Sequence, residues 1–324
     1  MSSITRRALG ASALLAAPSL AIPAWAQPAY PARNITIIVP FAPGGSTDVV
    51  TRLMAERMTQ VLGRPVQVEN RPGANTVIGA EYVSRAQPDG YTLLMSSGTT
   101  LTINPIVQRN LPYRIEDFAP ISLVSTYPFA VIARPDGPKS VQELIDRAKA
   151  SPGTITYGHN GPTTLTNVAM LMVLERLGLR MQDVTYRGDA AAMNDFVAGN
   201  LDLLVVAGST AVPVQRNGQG RILGWTGARR MPQTPDVPAF AEFAPGLEAL
   251  SWFGLLAPAR TPQAAIDTLH RAAAEALMDP RLRERLYGEA QDIVGSTPAE
   301  FAQFLLQQQE LWRPTLARMQ VPLN

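Results

Sequence analysis

The sequence predicts an α/β protein of two lobes with a ligand cleft between them. Three observations carry this reading. Short β-branched or apolar runs alternate with segments of helical periodicity along most of the 324 residues. The alternation falls into two sets, broken near residue 125. In both sets the turns that follow strands are rich in Gly, Ser, Thr and Asn. Strands alternating with helices argue for mostly parallel sheets covered by helices, and the length is ample for a buried core.

The elements follow in order. Ile35 to Val39 is β-branched and nearly all apolar, the pattern of a strand buried on both faces. Residues 48–62 then place Val50, Leu53, Met54, Met58 and Val61 at helical spacing. A strand at 66–68, a helix near 77–85 and a strand at 91–95 continue the first set. The second opens with a strand at 129–133 and a helix from Ser140, where Glu143 completes a capping box. Strands at 155–157, 184–186, 203–206 and 222–225 alternate with helices at 165–177 and 190–198. After a strand at 252–256, Thr261-Pro262 and Thr297-Pro298-Ala299-Glu300 start two marked helices, each with proline at its first position. A return of the chain near residue 250 gives residues 27–125 plus 250–324 as lobe 1 and 126–249 as lobe 2.

Residues 1–26 read as a secretory signal peptide. A basic start ending Arg6-Arg7 precedes an Ala/Leu-rich run, and Ala24-Trp25-Ala26 supplies small residues at the cleavage positions, before Gln27. Pro18 and Pro23 interrupt the run, which argues against a membrane anchor. The route is either general secretion or twin-arginine export. The whole chain has 28 basic and 26 acidic residues; without Arg6 and Arg7 the two are equal, and no basic stripe with interleaved aromatics occurs, which argues against nucleic-acid binding. Cysteine is absent, which excludes disulfides, thiolate nucleophiles and Cys-ligated metals. His159 and His270 form no metal motif, and no nucleotide loop, nucleophile elbow or zinc-protease motif occurs. No cofactor, metal or catalytic residue is expected.

The loops carry what chemistry there is. Pro40-Phe41-Ala42-Pro43-Gly44-Gly45-Ser46-Thr47-Asp48 joins a strand to a helix. Its glycines allow close backbone approach, and either Ser46 or Thr47 can cap the helix. The free N–H groups of that first turn attract a carboxylate or phosphate. Asp48 either stabilises the turn or meets a ligand amine. Ser96-Ser97-Gly98-Thr99-Thr100, Gly158 to Thr164 and Gly188-Asp189-Ala190 repeat the construction after other strands. Ligands of open α/β sheets collect beyond strand C-termini, so both lobes would contribute to one cleft. His159 reads as a structural turn residue. Trp252, Phe253 and Tyr186 belong either to the cleft or to the core, and Arg283-Glu284-Arg285 reads as a solvated helix face.

At these loops the chain resembles the solute-binding proteins of tripartite tricarboxylate transporters, the family of Bordetella uptake gene products. The matching stretches are Val39 to Asp48, Val68-Glu69-Asn70-Arg71-Pro72-Gly73-Ala74, Gln87 to Leu94, Tyr186-Arg187-Gly188, Asp195 to Asp202, Thr234 to Pro238, Ser251-Trp252-Phe253-Gly254 and Ser296 to Phe301. They span essentially the whole chain after the leader. The resemblance implies a periplasmic binding protein fold of type II, closing on a small organic acid or amino acid-like ligand and presenting it to integral membrane transporter subunits. It implies binding by Phe41, Ala42, Gly44, Gly45, Ser46, Asp48, Ser96, Thr99 and Thr100 in one lobe. In the other it implies Asn160, Thr163, Thr164, Tyr186, Gly188, Asp189 and Ala190. The alternatives are a ligand-sensing receptor of the same fold and a periplasmic enzyme acting on a small metabolite.

Three positions depart from the family pattern. Thr163-Thr164 stand where Gly-Ser is common, Asn167 where a histidine is common, and Asp189 where a second glycine is common. A carboxylate facing the cleft at 189 repels a multiply charged anion unless it turns away or meets an ammonium group. These departures favour a monocarboxylate, an amino acid or an amide-like solute over citrate.

Overall fold

In the computed structural model, which describes residues 30–186 and 188–318, one ten-stranded sheet runs through both lobes. The expected leader at residues 1–26, and Arg187 of the Tyr186-Arg187-Gly188 stretch, lie outside the described residues. The first half contains β1 (Ile35–Val39), α1 (Ser46–Leu62), β2 (Val66–Asn70), α2 (Val77–Ser84) and β3 (Thr92–Ser97). A π-helical turn, Thr99–Ile103, leads into α3 (Asn104–Val107), and β4 (Phe118–Ala133) follows. The second half contains α4 (Val141–Ala150), β5 (Thr156–His159), α5 (Leu165–Leu177), β6 (Gln182–Thr185), α6 (Asp189–Ala198), β7 (Leu203–Ala207), α7 (Gly208–Arg216) and β8 (Arg221–Trp225). The chain returns through β9 (Leu250–Pro258), α8 (Gln263–Ala276), α9 (Pro280–Gly288), β10 (Asp292–Ile293) and α10 (Pro298–Arg318). The sheet order is β2-β1-β3-β9-β4-β7-β5-β6, with β8 and β10 each paired to β4.

The residue patterns explain most of these elements. In β1, Ile35, Ile37, Ile38 and Val39 are all fully buried, the two-sided burial that a continuous apolar run requires. β1 pairs in parallel with β2 and β3, and β5 with β6 and β7. α1 buries Val50, Met54 and Met58 on one stripe and leaves its other face wet. At Gly254 an added Cβ would lie 2.2 Å from Cζ of Phe301, so the glycine lets the α10 ring sit directly on β9.

The main difference from the sequence reading is β4. Its 16 residues contain Pro120 and Pro128, and a proline cannot donate to a ladder, so only residues 129–133 read as strand. The structure accommodates both prolines. The register with β9 shifts between Pro120 and Ser122. At Pro128 the strand changes partners: Phe118 to Pro128 pairs with β9, whereas Phe129 to Ala133 pairs with β7 and β8. β4 is therefore the first crossing between the lobes. Thr226 ties it to the return crossing. The Thr226 N–H donates to the Phe129 carbonyl at 2.9 Å, and the Ala249 N–H donates to the Thr226 carbonyl at 2.8 Å. The buried Thr226 hydroxyl accepts from the Phe129 N–H at 2.9 Å and donates to the Ala249 carbonyl at 2.7 Å.

Three helices are not read from the sequence: the short α3, α7 and α9. α7 carries Pro213 inside it, and α9 starts at Pro280 within a strongly charged run, capped by Asp279. No helix among the described residues is long and apolar enough to cross a membrane.

Candidate ligand-binding site

A cavity of about 1050 Å³ lies between the lobes, beyond the C-terminal ends of the parallel strands. Its outstanding feature is a convergence of helix starts. Ser46 and Thr47 of α1, Leu165 and Thr166 of α5, Asp189 of α6 and Ser209 and Thr210 of α7 all line it, as does Thr99 of the π-helical turn. None of these four α-helices has a side-chain cap; their N-cap residues are Gly45, Thr164, Gly188 and Ala207. By contrast α4 and α9, whose starts do not line the cavity, are capped by Ser140 and Asp279. The first N–H groups of a helix have no partner within it, and they carry the positive end of its dipole. Uncapped starts from both lobes thus aim donors at one space, an arrangement suited to a carboxylate.

The Gly-rich loop owes its shape to residues behind it. Gly44 sits at φ +86°, and its N–H donates to Oδ2 of Asp48 at 2.9 Å. Nδ2 of Asn70 donates to Oδ1 of Asp48 at 2.9 Å and to the Phe41 carbonyl at 3.1 Å, while Arg52 bonds both Asp48 and Asn70. Burial raises the Asp48 pKa, but the Arg52, Gly44 and Asn70 hydrogen bonds together outweigh it and hold the carboxyl below its usual range. Asp48 is therefore a brace for the loop and does not line the cavity. Gly45, not Ser46 or Thr47, is the N-cap of α1.

Of the other first-lobe positions, Phe41, Ala42, Gly44, Gly45, Ser46 and Thr99 line the cavity. Ser96 does not: it is fully buried, and its neighbour Ser97 faces the cavity. Alternation along β3 puts successive side chains on opposite faces, so an Ser-Ser pair leaves the phase open in sequence. Thr100 is buried and supports Ser97, the two hydroxyls lying 3.3 Å apart.

In the second lobe Asn160, Thr164, Gly188 and Asp189 line the cavity, whereas Thr163, Tyr186 and Ala190 do not. Nδ2 of Asn160 donates to Oδ1 of Asp189 at 3.0 Å, and Oδ1 of Asn160 accepts from the Thr166 hydroxyl, itself 2.8 Å from that of Thr164. Burial raises the Asp189 pKa, and the Asn160 hydrogen bond opposes it. Thr163 reaches the first lobe instead, with Nδ2 of Asn75 at 3.5 Å from its hydroxyl. The Tyr186 hydroxyl donates to Asp195 at 2.7 Å, away from the cavity. Ala190 is exposed.

The residues left open in sequence also find their places. His159 is fully buried between Gly161 and Asp183; burial lowers its pKa and Asp183 opposes the shift. Asn167 accepts from the Tyr157 hydroxyl and donates to the Pro162 carbonyl, each at 3.0 Å, so it braces the turn before α5. Trp252 belongs to the core, edge-on to Phe301 and Phe304, while Phe253 faces the cavity beside Tyr127 and Phe129.

Sequence reasoning missed several lining residues. Arg285, read as part of a solvated helix face, lines the cavity and pairs with Glu289 at 2.5 Å. Glu289 is buried and accepts from Ser46; Gln291 donates to Glu289 at 2.8 Å and to Ser46 at 3.1 Å. Asn75 and Thr76 come from a loop with positive φ at Ala74, Asn75 and Thr76, which the Asn70–Ala74 stretch only hinted at. Among the described residues no cluster of His, Cys, Asp and Glu has the makings of a metal site.

The model of the tripartite tricarboxylate transporter family receptor matches residues 50–320. The chain is 32% identical to the protein BugT of Bordetella pertussis over 287 residues, 87% of this chain and 88% of BugT. Its fold is similar to that of the periplasmic binding protein BugD, at 32% identity and TM-score 0.81, with 90% of this chain and 99% of BugD covered. It is also similar to MatC from Rhodopseudomonas palustris, solved with bound malate, at 29% identity and TM-score 0.79, covering 89% of this chain and all of MatC.

Proposed function

The chain belongs to the tripartite tricarboxylate transporter family of receptors, and on that premise we propose that it is a periplasmic solute-binding protein for a small organic carboxylate. In this reading residues 1–26 direct export and are removed. The two lobes, residues 27–125 plus 250–324 and residues 126–249, close on the solute and deliver it to integral membrane subunits without chemical change.

The observation that carries the reading is the set of uncapped helix starts meeting at one cavity from both lobes. Oriented N–H groups and neutral hydroxyls stabilise a carboxylate without a dedicated arginine, and ordered water completes its hydrogen bonds. Such a site binds usefully and still lets go. The malate held by MatC supports a carboxylate as the ligand class. The change of partners along β4 and the Thr226 clasp support a hinge at the two crossings, the arrangement that domain closure needs.

The test has two parts. Native mass spectrometry of protein purified without refolding should show a bound small acid of unchanged mass after incubation with protein. Gly45→Trp should then abolish its binding in calorimetry. Gly45 has φ −75° and an added Cβ meets only the Ala42 carbonyl, at 3.8 Å, so the backbone accepts the change and the indole fills the cavity. Unchanged affinity in the variant, or protein-dependent conversion of the acid, would overturn the assignment.

A further inference from the structure

The cavity's charge opposes that of the proposed carboxylate. Among the described residues two charged side chains line it, Arg285 and Asp189. The Arg285 guanidinium is already matched by Glu289, 2.5 Å away and itself buried. Asp189 has no cationic partner among the described residues; its one hydrogen bond comes from the neutral amide of Asn160. The described residues around the cavity therefore carry one more negative charge than positive, against the ligand's own sign. Burial pushes up the pKa of Tyr127, in the aromatic wall with Phe129 and Phe253, and the Asp189 and Glu289 charges add to that shift.

A ligand with a negative end alone meets helix dipoles on one side and a repelling carboxylate on the other. A ligand with a cationic nitrogen removes that repulsion, and its ammonium gains a charge-assisted hydrogen bond to Asp189 and the faces of aromatic rings. Resting on the carboxylate reading above, we infer that the solute is zwitterionic, an amino acid or amino-bearing acid, with Asp189 as the residue that selects its ammonium group. The carboxylate goes to the uncapped starts of α1, α5 and α7, and the nitrogen to the Asp189 carboxylate on α6.

Matched pairs of probes test this at pH 7.5 by calorimetry: glutamate against glutarate, and 2-aminoadipate against adipate. The wild-type protein should favour the amino member of at least one pair by tenfold or more. Asp189→Asn keeps an oxygen to accept from Asn160 and removes only the charge. It should reduce that preference to threefold or less, through weaker binding of the amino acid and equal or tighter binding of the diacid. An unchanged thermal midpoint of the unliganded variant would separate this from a folding defect. Where the variant is less stable, Asp189→Glu, which restores the charge, should recover the preference. Wild-type protein that binds the diacids as well as the amino acids overturns the inference and leaves the carboxylate reading standing. So does a preference that survives Asp189→Asn. Failure to bind any of the four probes, with a trapped solute that lacks a carboxylate, overturns both.

Discussion

The Gly44 N–H and the Asp48 carboxylate lie 2.9 Å apart, and this one bond fixes the loop on which the first lobe's contribution rests. It holds Gly44 in the left-handed region and leaves the N–H groups of Ser46 and Thr47 unengaged at the cavity wall. Asn70 and Arg52 hold Asp48 in turn. The Gly-Gly-Ser-Thr-Asp stretch and the Asn-Arg-Pro-Gly stretch are thus two halves of one device.

Asp48→Ala removes the acceptor and leaves the Gly44 and Asn70 donors short of a partner. Hydrogen bonds to charged groups contribute about 1.5–3 kcal/mol each and are not additive within a network. The expected loss is about 2–3 kcal/mol in urea denaturation. Ligand affinity should fall as well, because the loop samples other conformations, and calorimetry at a temperature where the variant is folded would show it.

The same carboxylate sets an acid-side dependence. Its folded-state pKa is below the ordinary value of 3.8, so its contribution to stability is complete above that value and disappears as pH falls through the lower, folded-state pKa. The stability difference between wild type and Asp48→Asn should be constant from pH 5 to pH 7 and shrink below about pH 4. A difference that persists unchanged to pH 2.5 would contradict the network.

Thr226 makes a separate prediction. Its hydroxyl bonds both crossing strands, to the Phe129 N–H and the Ala249 carbonyl, in a fully buried position. Thr226→Val keeps the shape and strands both groups. The expected cost is about 1–3 kcal/mol, seen as a lower denaturation midpoint with an unchanged slope.

How much of this was legible beforehand follows from the range of each signal. β1, α1 and α5 announce themselves because periodicity and burial agree within a few residues. The Gly-rich loop was visible as a loop, but its brace was not: Asn70 lies 22 residues from Asp48, and nothing local says that they meet. β4 was truncated in reading because a proline weakens a strand signal, although a bulge and a change of partner absorb both prolines. Ser97 lines the cavity where the sequence points to Ser96, because a pair of identical residues carries no phase. Arg285 looked solvated because its charged neighbours are, and only the fold brings α9 against the α1 start, with Arg281 pairing Glu56 at 2.9 Å on the outer side.

The position that best reports on closure is Gly208, at the start of α7. An added Cβ there would stand 2.1 Å from the Glu289 carbonyl oxygen and 2.9 Å from Cβ of Ala290. The obstruction is backbone, so no side-chain rotation relieves it, and in the proposed two-lobe division α7 belongs to the second lobe and the α9–β10 connection to the first. In Gly208→Ala the lobes must stay further apart by roughly the missing contact distance. That weakens every cross-cleft interaction at once, Asn75 with Thr163 included. Because the strain is released by opening and not by unfolding, stability without ligand should change by less than about 1 kcal/mol, the size of an ordinary surface substitution. Affinity should fall at least tenfold, and small-angle scattering at saturating ligand should give a larger radius of gyration than wild type. Equal affinity and equal compaction would show that the Gly208–Glu289 approach plays no part in binding.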